Sequence, residues 1–428
     1  MNKFEEMKSA PFWWEEAPRP EGDDSPPPGE ADVVVVGSGY TGLHAALQTS
    51  RDGLSTVVLD AGELGGGCSS RNGGQVSTSV KGSFTELAAK YGEQQAQALQ
   101  QEGVNALEYL DTFIRQESID CDWARCGHFS GAHNTAAYER KARELRALPA
   151  ALGIEWQMVP RAEQRREIGS DLYHGGVIFP SHGALHPGKY HQELLSRVQS
   201  AGAMTIGHCA VQRIEKRDTG FAVYTARGVI RAGKVALATN GYTDAAAPWL
   251  RRRIIPIGSY IIATQPLSET LAREISPRGR TMTDTRRLVF YYRLCPRGQR
   301  MIFGGRVALS ETDDRVSAPR LHAAMSEIFP QLSSAQISHS WLGFVGYTFD
   351  ALPHVGEHDG MFYSMGYCGS GVSLASYCGS ILGRQMCGEA YRSPFMDTEF
   401  KTRPLYTGNP WFLKPSIAYY RVRDRINW

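Results

Sequence analysis

Ala31-Asp32-Val33-Val34-Val35-Val36-Gly37-Ser38-Gly39-Tyr40-Thr41-Gly42 is the stretch that decides the fold. The β-branched run Val33 to Val36, bounded by turn residues, predicts a fully buried strand over residues 31–37. A helix follows over residues 43–52, then a second buried strand over residues 55–60 that ends in Asp60. In the G-x-G-x-x-G turn, Gly37 permits the tight bend, Gly39 lets the main chain approach a pyrophosphate and Gly42 lets helix and strand pack closely. Ser38, Tyr40 and Thr41 complete the cradle, and the helix start offers unpaired amides to the anion. Asp60, with Ala61 beside it, stands about 20 residues beyond the glycines, where a carboxylate accepts hydrogen bonds from both ribose hydroxyls. The unit therefore binds a dinucleotide, FAD or NAD.

The chain next runs through Gly65-Gly66-Gly67-Cys68-Ser69-Ser70-Arg71-Asn72-Gly73-Gly74-Gln75. Such a loop lets a backbone lie along a flat, extended cofactor and give amides to its phosphates and ring edge; a flexible linker is the plainer alternative. Residues 84–118 carry an apolar helical stripe broken near Gly92, which predicts two helices, and residues 187–200 predict another. Short strands are predicted over residues 211–214, 221–225, 229–231 and 234–238, and a second sheet over 260–264, 288–294 and 301–305. Residues 361–365 read as a last buried strand. Gly366-Tyr367-Cys368-Gly369-Ser370-Gly371-Val372 turns it into a helix whose positive end is aimed at whatever lies above.

At 428 residues the chain exceeds what one core usually holds, so two domains are expected. Charged residues make up 21% and the net charge is only +2, which gives no reason to expect a nucleic-acid partner. The run Arg251-Arg252-Arg253 reads as a solvated loop. Eight scattered cysteines without Cys-x-x-Cys point to a reducing compartment, and no stretch reads as a membrane span or signal peptide. A cytoplasmic protein is expected, with no metal site. Residues 1–30, rich in Pro and acidic groups, read as an irregular tail that Phe12, Trp13 and Trp14 dock.

Gly37 to Gly42, Ser70 to Gln75, Cys121-Asp122-Trp123, Tyr291-Tyr292-Arg293-Leu294, Gly304-Gly305, Trp341, Leu352-Pro353 and Gly366 to Val372 together resemble the amine-oxidising branch of the D-amino-acid oxidase and sarcosine oxidase flavoprotein family. The resemblance covers most of the chain. It implies an α/β fold: a doubly wound, Rossmann-like FAD-binding domain assembled from residues 31–85, 185–250 and 341–390. A second, mixed-sheet substrate domain would comprise residues 86–184 and 251–340, with a C-terminal extension over 391–428. FAD would be held non-covalently by Gly37, Ser38, Gly39, Tyr40, Thr41, Gly42, Asp60, Ala61 and the loop Ser70, Arg71, Asn72, Gly73, Gly74 and Gln75. Val211 would meet the adenine side, and Thr239, Asn240 and Gly241 would close over the cofactor. Gly366, Gly369, Ser370, Gly371 and Val372 would lie beside the isoalloxazine.

The implied activity is hydride transfer from the carbon next to an amine nitrogen to flavin N5, giving an imine and then a carbonyl product. The implied substrate is a gamma-glutamylputrescine-like linear amine or an amino acid, with oxygen or a quinone as acceptor. A flavin-binding protein without catalysis is the alternative of another class. On a predicted roof strand, alternation sends Tyr291 and Arg293 to one face and Tyr292 to the other. Tyr291, Arg293 and Arg306 are the candidate substrate contacts, Arg306 as a two-bond carboxylate clamp. His128 is a candidate base, for which a satisfied core histidine is the plainer reading. The chain departs from the family pattern in two places. Residues 343–347 contain no cysteine, which excludes flavin attachment by that route, and Cys368 and Ser370 stand where relatives carry serine and histidine. Cys368 reads as an inert buried thiol.

Overall fold

The computed structural model describes residues 3–20 and 26–426. The valine run lies in the strand Glu30–Val36, where Val33, Val34 and Val35 have no solvent exposure. Val33 and Val35 join one apolar cluster and Val34 the cluster on the opposite face, so both sides of the strand are covered. That is why the run does not alternate with polar residues; each such valine contributes about 1.5–3 kcal/mol of burial. The strand pairs in parallel with Thr56–Leu59 on one side and Gly228–Leu237 on the other. Met204–Ile206 and Met361–Met365 extend the parallel sheet outward, and His354–His358 closes one edge antiparallel. The strands predicted over 229–231 and 234–238 are one strand, Gly228–Leu237. Its first half pairs antiparallel with Phe221–Thr225 while Arg231 to Leu237 pair with Glu30–Val36, and these two overlapping partners keep it continuous.

The helix Tyr40–Arg51 packs on the helix Gly371–Met386 through glycines. A Cβ at Gly379 would stand 2.5 Å from the Thr41 carbonyl oxygen, and one at Gly383 2.8 Å from that of Ala45. Both contacts advance along the two helices in the same direction. The helices therefore run parallel, and their N-termini come out side by side at one end of the sheet.

The second sheet is mixed, in the strand order Ile337–Tyr347, Ile255–Thr264, Met301–Gly305, Tyr291–Leu294, Thr281–Asp284, His128–Gly131, Gly176–Phe179 and Gln157–Val159. Its pairs are antiparallel except Thr281–Asp284 with His128–Gly131. Ile337–Tyr347 was not expected as a strand, and it carries the roof sheet through residue 341, where the expected domain boundary fell. The strand expected over 288–294 starts only at Tyr291, because Asp284 Oδ1 accepts the Phe290 amide and bends the chain there. On the far face of this sheet, Phe129, Tyr292 and Phe303 pack against Leu321 and Met325 of the helix Asp314–Ile328.

The tail is docked where it is described. Lys8 exchanges main-chain hydrogen bonds with Ser338 and Ser340 at the sheet edge, and Phe12 and Trp13 are buried. Residues 1–2, 21–25 and 427–428, parts of the expected tail and extension, lie outside the described residues. Among the described residues no helix is long and apolar enough to cross a membrane.

Candidate active site

A cavity of about 1630 Å³ runs between the helix pair and the second sheet. Both parallel helices open on it: Gly39, Tyr40 and Thr41 of one and Ser370, Gly371 and Val372 of the other line the wall. Neither helix has a side-chain N-cap, whereas Ser83, Asn134, His186, Ser268 and Asp313 cap other helices of the chain. Two bare positive helix ends side by side form a site for anionic groups. Gly37 has φ +107°, and a Cβ there would meet the Ala238 carbonyl oxygen at 2.9 Å; a Cβ at Gly42 would stand 1.9 Å from the Gly37 oxygen. Only glycine fits either place.

Asp60 and Ala61 line the cavity. Asp60 Oδ2 accepts the Ser38 amide at 2.9 Å and the Ser38 hydroxyl at 2.5 Å, and Oδ1 accepts the Gly62 amide at 3.0 Å. Ser38 itself is fully buried and off the wall; it aims the acid and accepts the Gly65 amide at 2.8 Å. Val211, Thr239 and Asn240 also line the cavity. Gly241 does not. Its bare backbone packs against the Phe344 oxygen, while Asn240 Oδ1 accepts the Gly366 amide at 3.0 Å, so Gly366 anchors the late glycine turn from behind.

The small-residue loop is stitched down rather than flexible. Arg71 Nε donates to the Gly66 oxygen at 2.6 Å, and the guanidinium lies 4.5 Å from the Trp14 ring centre. Trp13 and Trp341 donate their indole N–H groups to the Asn72 and Arg71 oxygens. Asn72 accepts the Gly74 amide, and Gln75 donates to the Met282 and Tyr292 oxygens of the roof. Arg71, Asn72, Gly73 and Gln75 line the cavity. Ser70 is buried behind them, where it donates to the Gly65 oxygen and accepts from Trp14, and Gly74 is packed against the Leu185 oxygen.

Of the roof candidates, Tyr291 faces the cavity and Tyr292 faces the opposite core, where its hydroxyl pairs with that of Tyr173 at 2.7 Å. Arg293 shares the face of Tyr291 but does not line the cavity. Its Nη1 donates to the Gly74 and Leu185 oxygens and its Nε to the Leu294 oxygen, so the expected substrate contact is a latch between roof and loop. Arg306 lines the cavity, with Nε on the Ala308 oxygen and Nη1 on the Gly258 oxygen and Glu311; its buried Nη2 has no partner among the described residues. His128 also lines the cavity, but Thr281 and Thr283 hydroxyls occupy its two ring nitrogens at 2.8 and 2.9 Å. Burial lowers its pKa to about 4, so the ring is a neutral, satisfied wall rather than a base.

Sequence reasoning missed Tyr347, Ser259 and Lys81, all on the wall, and the helix Leu413–Ile426, which contributes Ile417 and Tyr420. Burial pushes the Tyr291 and Tyr347 hydroxyls well above their ordinary range, so both stay protonated. Cys368 is held at φ 51° with its thiol on the Gly366 oxygen at 3.1 Å, and burial raises it to about 11.

A protein-family model, that of the FAD-dependent oxidoreductases abbreviated DAO, matches residues 32–385. The chain belongs to this family. Members similar to this FAD-dependent oxidoreductase include the gamma-glutamylputrescine oxidoreductase of Escherichia coli (strain K12), 31% identical over 409 residues that cover 92% of this chain and 93% of that one. A probable oxidoreductase, OrdL, of Rhizobium meliloti (strain 1021) is 32% identical over 97% of this chain and 98% of its own. Among solved structures, the glycine oxidase from Geobacillus kaustophilus superposes with a TM-score of 0.73 at 17% identity, covering 87% of this chain and 99% of that one, which speaks for the fold. The site fits FAD: an uncapped helix end at Gly39 for the diphosphate, an oriented acid for the ribose, and a deep cleft bounded by the second helix end with its glycine turn and by the roof.

Proposed function

We propose that this enzyme oxidises the carbon next to nitrogen in a linear amine or amino acid of the gamma-glutamylputrescine type, giving an imine that water hydrolyses to a carbonyl compound. The observation that carries the reading is a pair of neutral phenols on the cavity wall, one of them at the late glycine turn. A Cβ at Gly369 would lie 3.8 Å from the Tyr347 hydroxyl, and Tyr291, on the same wall, is fixed by Ser259 at 2.8 Å. Gly39, Asp60 and the Arg71 loop hold the cofactor, which supplies the hydride acceptor when bound. Phenols of raised pKa orient an amine nitrogen without charging it, so they favour the neutral amine, whose lone pair expels the hydride. No protein base is required once the ammonium has lost its proton. Arg306 Nη2 offers one free donor to an acceptor on the substrate, at a centre whose charge Glu311 already balances.

Anaerobic titration of the flavin absorbance with polyamines, gamma-glutamylated amines and D- and L-amino acids tests this reading. Bleaching by at least one amine is expected, with peroxide released on admitting air if oxygen is the acceptor. A panel in which nothing bleaches the flavin sinks it.

A further inference from the structure

Beyond Tyr291 the cavity continues under the next strands of the roof. Tyr291, Thr283 and Ser130 form one row across three neighbouring strands, and all three line the wall. Two strand spacings place Ser130 about 10 Å from Tyr291. At this end Lys81, Lys141, His128, Phe179 and His182 close the wall.

Their donors are not spent on one another. Lys81, which lies between Cys368 and Lys141, has no hydrogen-bond or carboxylate partner among the described residues; burial lowers its pKa, with Cys368 opposing the shift and the charge of Lys141 adding to it. Lys81 is only partly buried, so an ammonium without a carboxylate partner stands open to an anionic ligand on this wall. His182 is 2% exposed, with its ring stacked on Phe179 at 4.8 Å. The Thr78 amide donates to His182 Nε2 at 3.3 Å, so the proton of the neutral ring sits on Nδ1, and Nδ1 has no partner among the described residues. The carboxylates at hand are engaged: Glu86 accepts the Ser83 amide at 2.9 Å, and Glu144 sits 3.6 Å from Lys141. Glu311 balances Arg306, whereas Lys81, like Arg71, Lys90 and Arg287 elsewhere on the wall, has no carboxylate partner among the described residues.

We infer that this end binds a carboxylate of the substrate, held by Lys81 with help from Lys141 and the His182 Nδ1–H, and that the preferred amines carry an anionic group remote from the reacting carbon. The inference rests on the amine-oxidation reading. It adds the far half of the molecule: a flexible chain long enough to lay its amine beside Tyr291 and its carboxylate about 10 Å away.

The test uses the FAD-loaded enzyme and three probes. N-(γ-glutamyl)putrescine carries the remote carboxylate, N-(4-aminobutyryl)putrescine is the same amine without it, and N-butylglutaramate keeps a carboxylate at the same end and has no amine. In flavin-reduction titrations the carboxylated amine is expected to bind about 10- to 100-fold more tightly than its decarboxylated twin. Lys81→Met should collapse that ratio to about threefold or less, with Lys81→Arg retaining most of it. Lys141→Met should lose a smaller part. Calorimetry with N-butylglutaramate reads the same subsite without any oxidation, and its binding should fall about 10-fold or more in Lys81→Met. Equal weakening of both amines, an unchanged ratio in Lys81→Met, or a Lys81→Met defect confined to flavin reoxidation overturns the subsite. Calorimetric binding that depends on Lys81, with no flavin reduction by either amine, upholds the carboxylate site and defeats the amine chemistry instead.

Discussion

The Tyr291 hydroxyl lies 2.8 Å from the hydroxyl of Ser259, two strands away, and the ring reaches it by crossing Gly304. A Cβ at Gly304 would stand 2.3 Å from that ring. Gly304→Ala therefore tilts Tyr291 off its partner, at an overpacking cost of about 1–3 kcal/mol. The expected result is normal flavin content with kcat/KM for the best amine down about tenfold or more. Ser259→Ala, which removes one neutral hydrogen bond of about 1 kcal/mol, should cost about fivefold. An unchanged kcat/KM in Gly304→Ala would remove Tyr291 from the substrate site.

Gly42→Ala puts a methyl group 1.9 Å from the Gly37 oxygen, a clash with backbone that no side-chain movement relieves. The strand and helix must part, and the amides at the helix start move with them. Purified Gly42→Ala should be colourless or largely insoluble. A yellow, stoichiometrically loaded variant would show that this turn does not hold the dinucleotide.

Arg293→Met strands the Leu185 and Leu294 oxygens, while the Gly74 oxygen keeps the Leu185 amide. A buried acceptor without a partner costs about 1–3 kcal/mol. The variant should unfold at markedly lower denaturant and release FAD more readily, while the KM for the amine in the loaded fraction changes less than threefold. A KM effect without a stability effect would return Arg293 to the role of substrate contact.

Acid should destabilise the protein in a defined window. Burial lowers His44 and His191 from 6.5 to about 3 and His128 to about 4. The unfolded histidines take up protons near pH 6.5 while the folded ones stay neutral, so unfolding binds protons. Their contribution is complete above pH 6.5 and is lost as pH falls, through about 4 for His128 and about 3 for His44 and His191, about 3 kcal/mol for His128 alone. Denaturant midpoints measured from pH 8 to pH 4.5 should fall steeply, and His128→Gln should flatten the slope.

Acid precipitation of the holoenzyme should leave its colour in the supernatant, since residues 343–347 offer no thiol for attachment. The native protein should also resist alkylation at Cys68 and Cys368, both raised to about 11 by burial, until it is denatured. Colour in the pellet, or rapid labelling of Cys368 in the folded enzyme, contradicts these assignments.

The nucleotide half of the site was legible because its constraints are local. The valine run, the three glycines and Asp60 each answer to a need set within one strand-turn-helix unit. The roof was legible only in part. Alternation correctly placed Tyr291 and Arg293 on one face, but whether that face meets substrate or the Gly74 loop depends on where along the sheet each residue falls, which no period encodes. Ile337–Tyr347 escaped because His339, Ser340 and two glycines dilute its apolar pattern, although it lies against Ile255–Thr264 along its length. Lys81 sits in a loop and Lys141 on the helix Thr135–Arg146, and only the tertiary fold brings them to one wall.

Trp14 stands on the cavity wall with its indole N–H on Ser70 and its ring under Arg71, and the docked tail keeps it there. With FAD bound in this cavity, an indole on its wall should lose emission by resonance energy transfer to the yellow ring. The chain thus carries a fluorescent gauge of its own loading, in which ultraviolet-excited light dims as each apoprotein molecule fills and returns when the tail is peeled away.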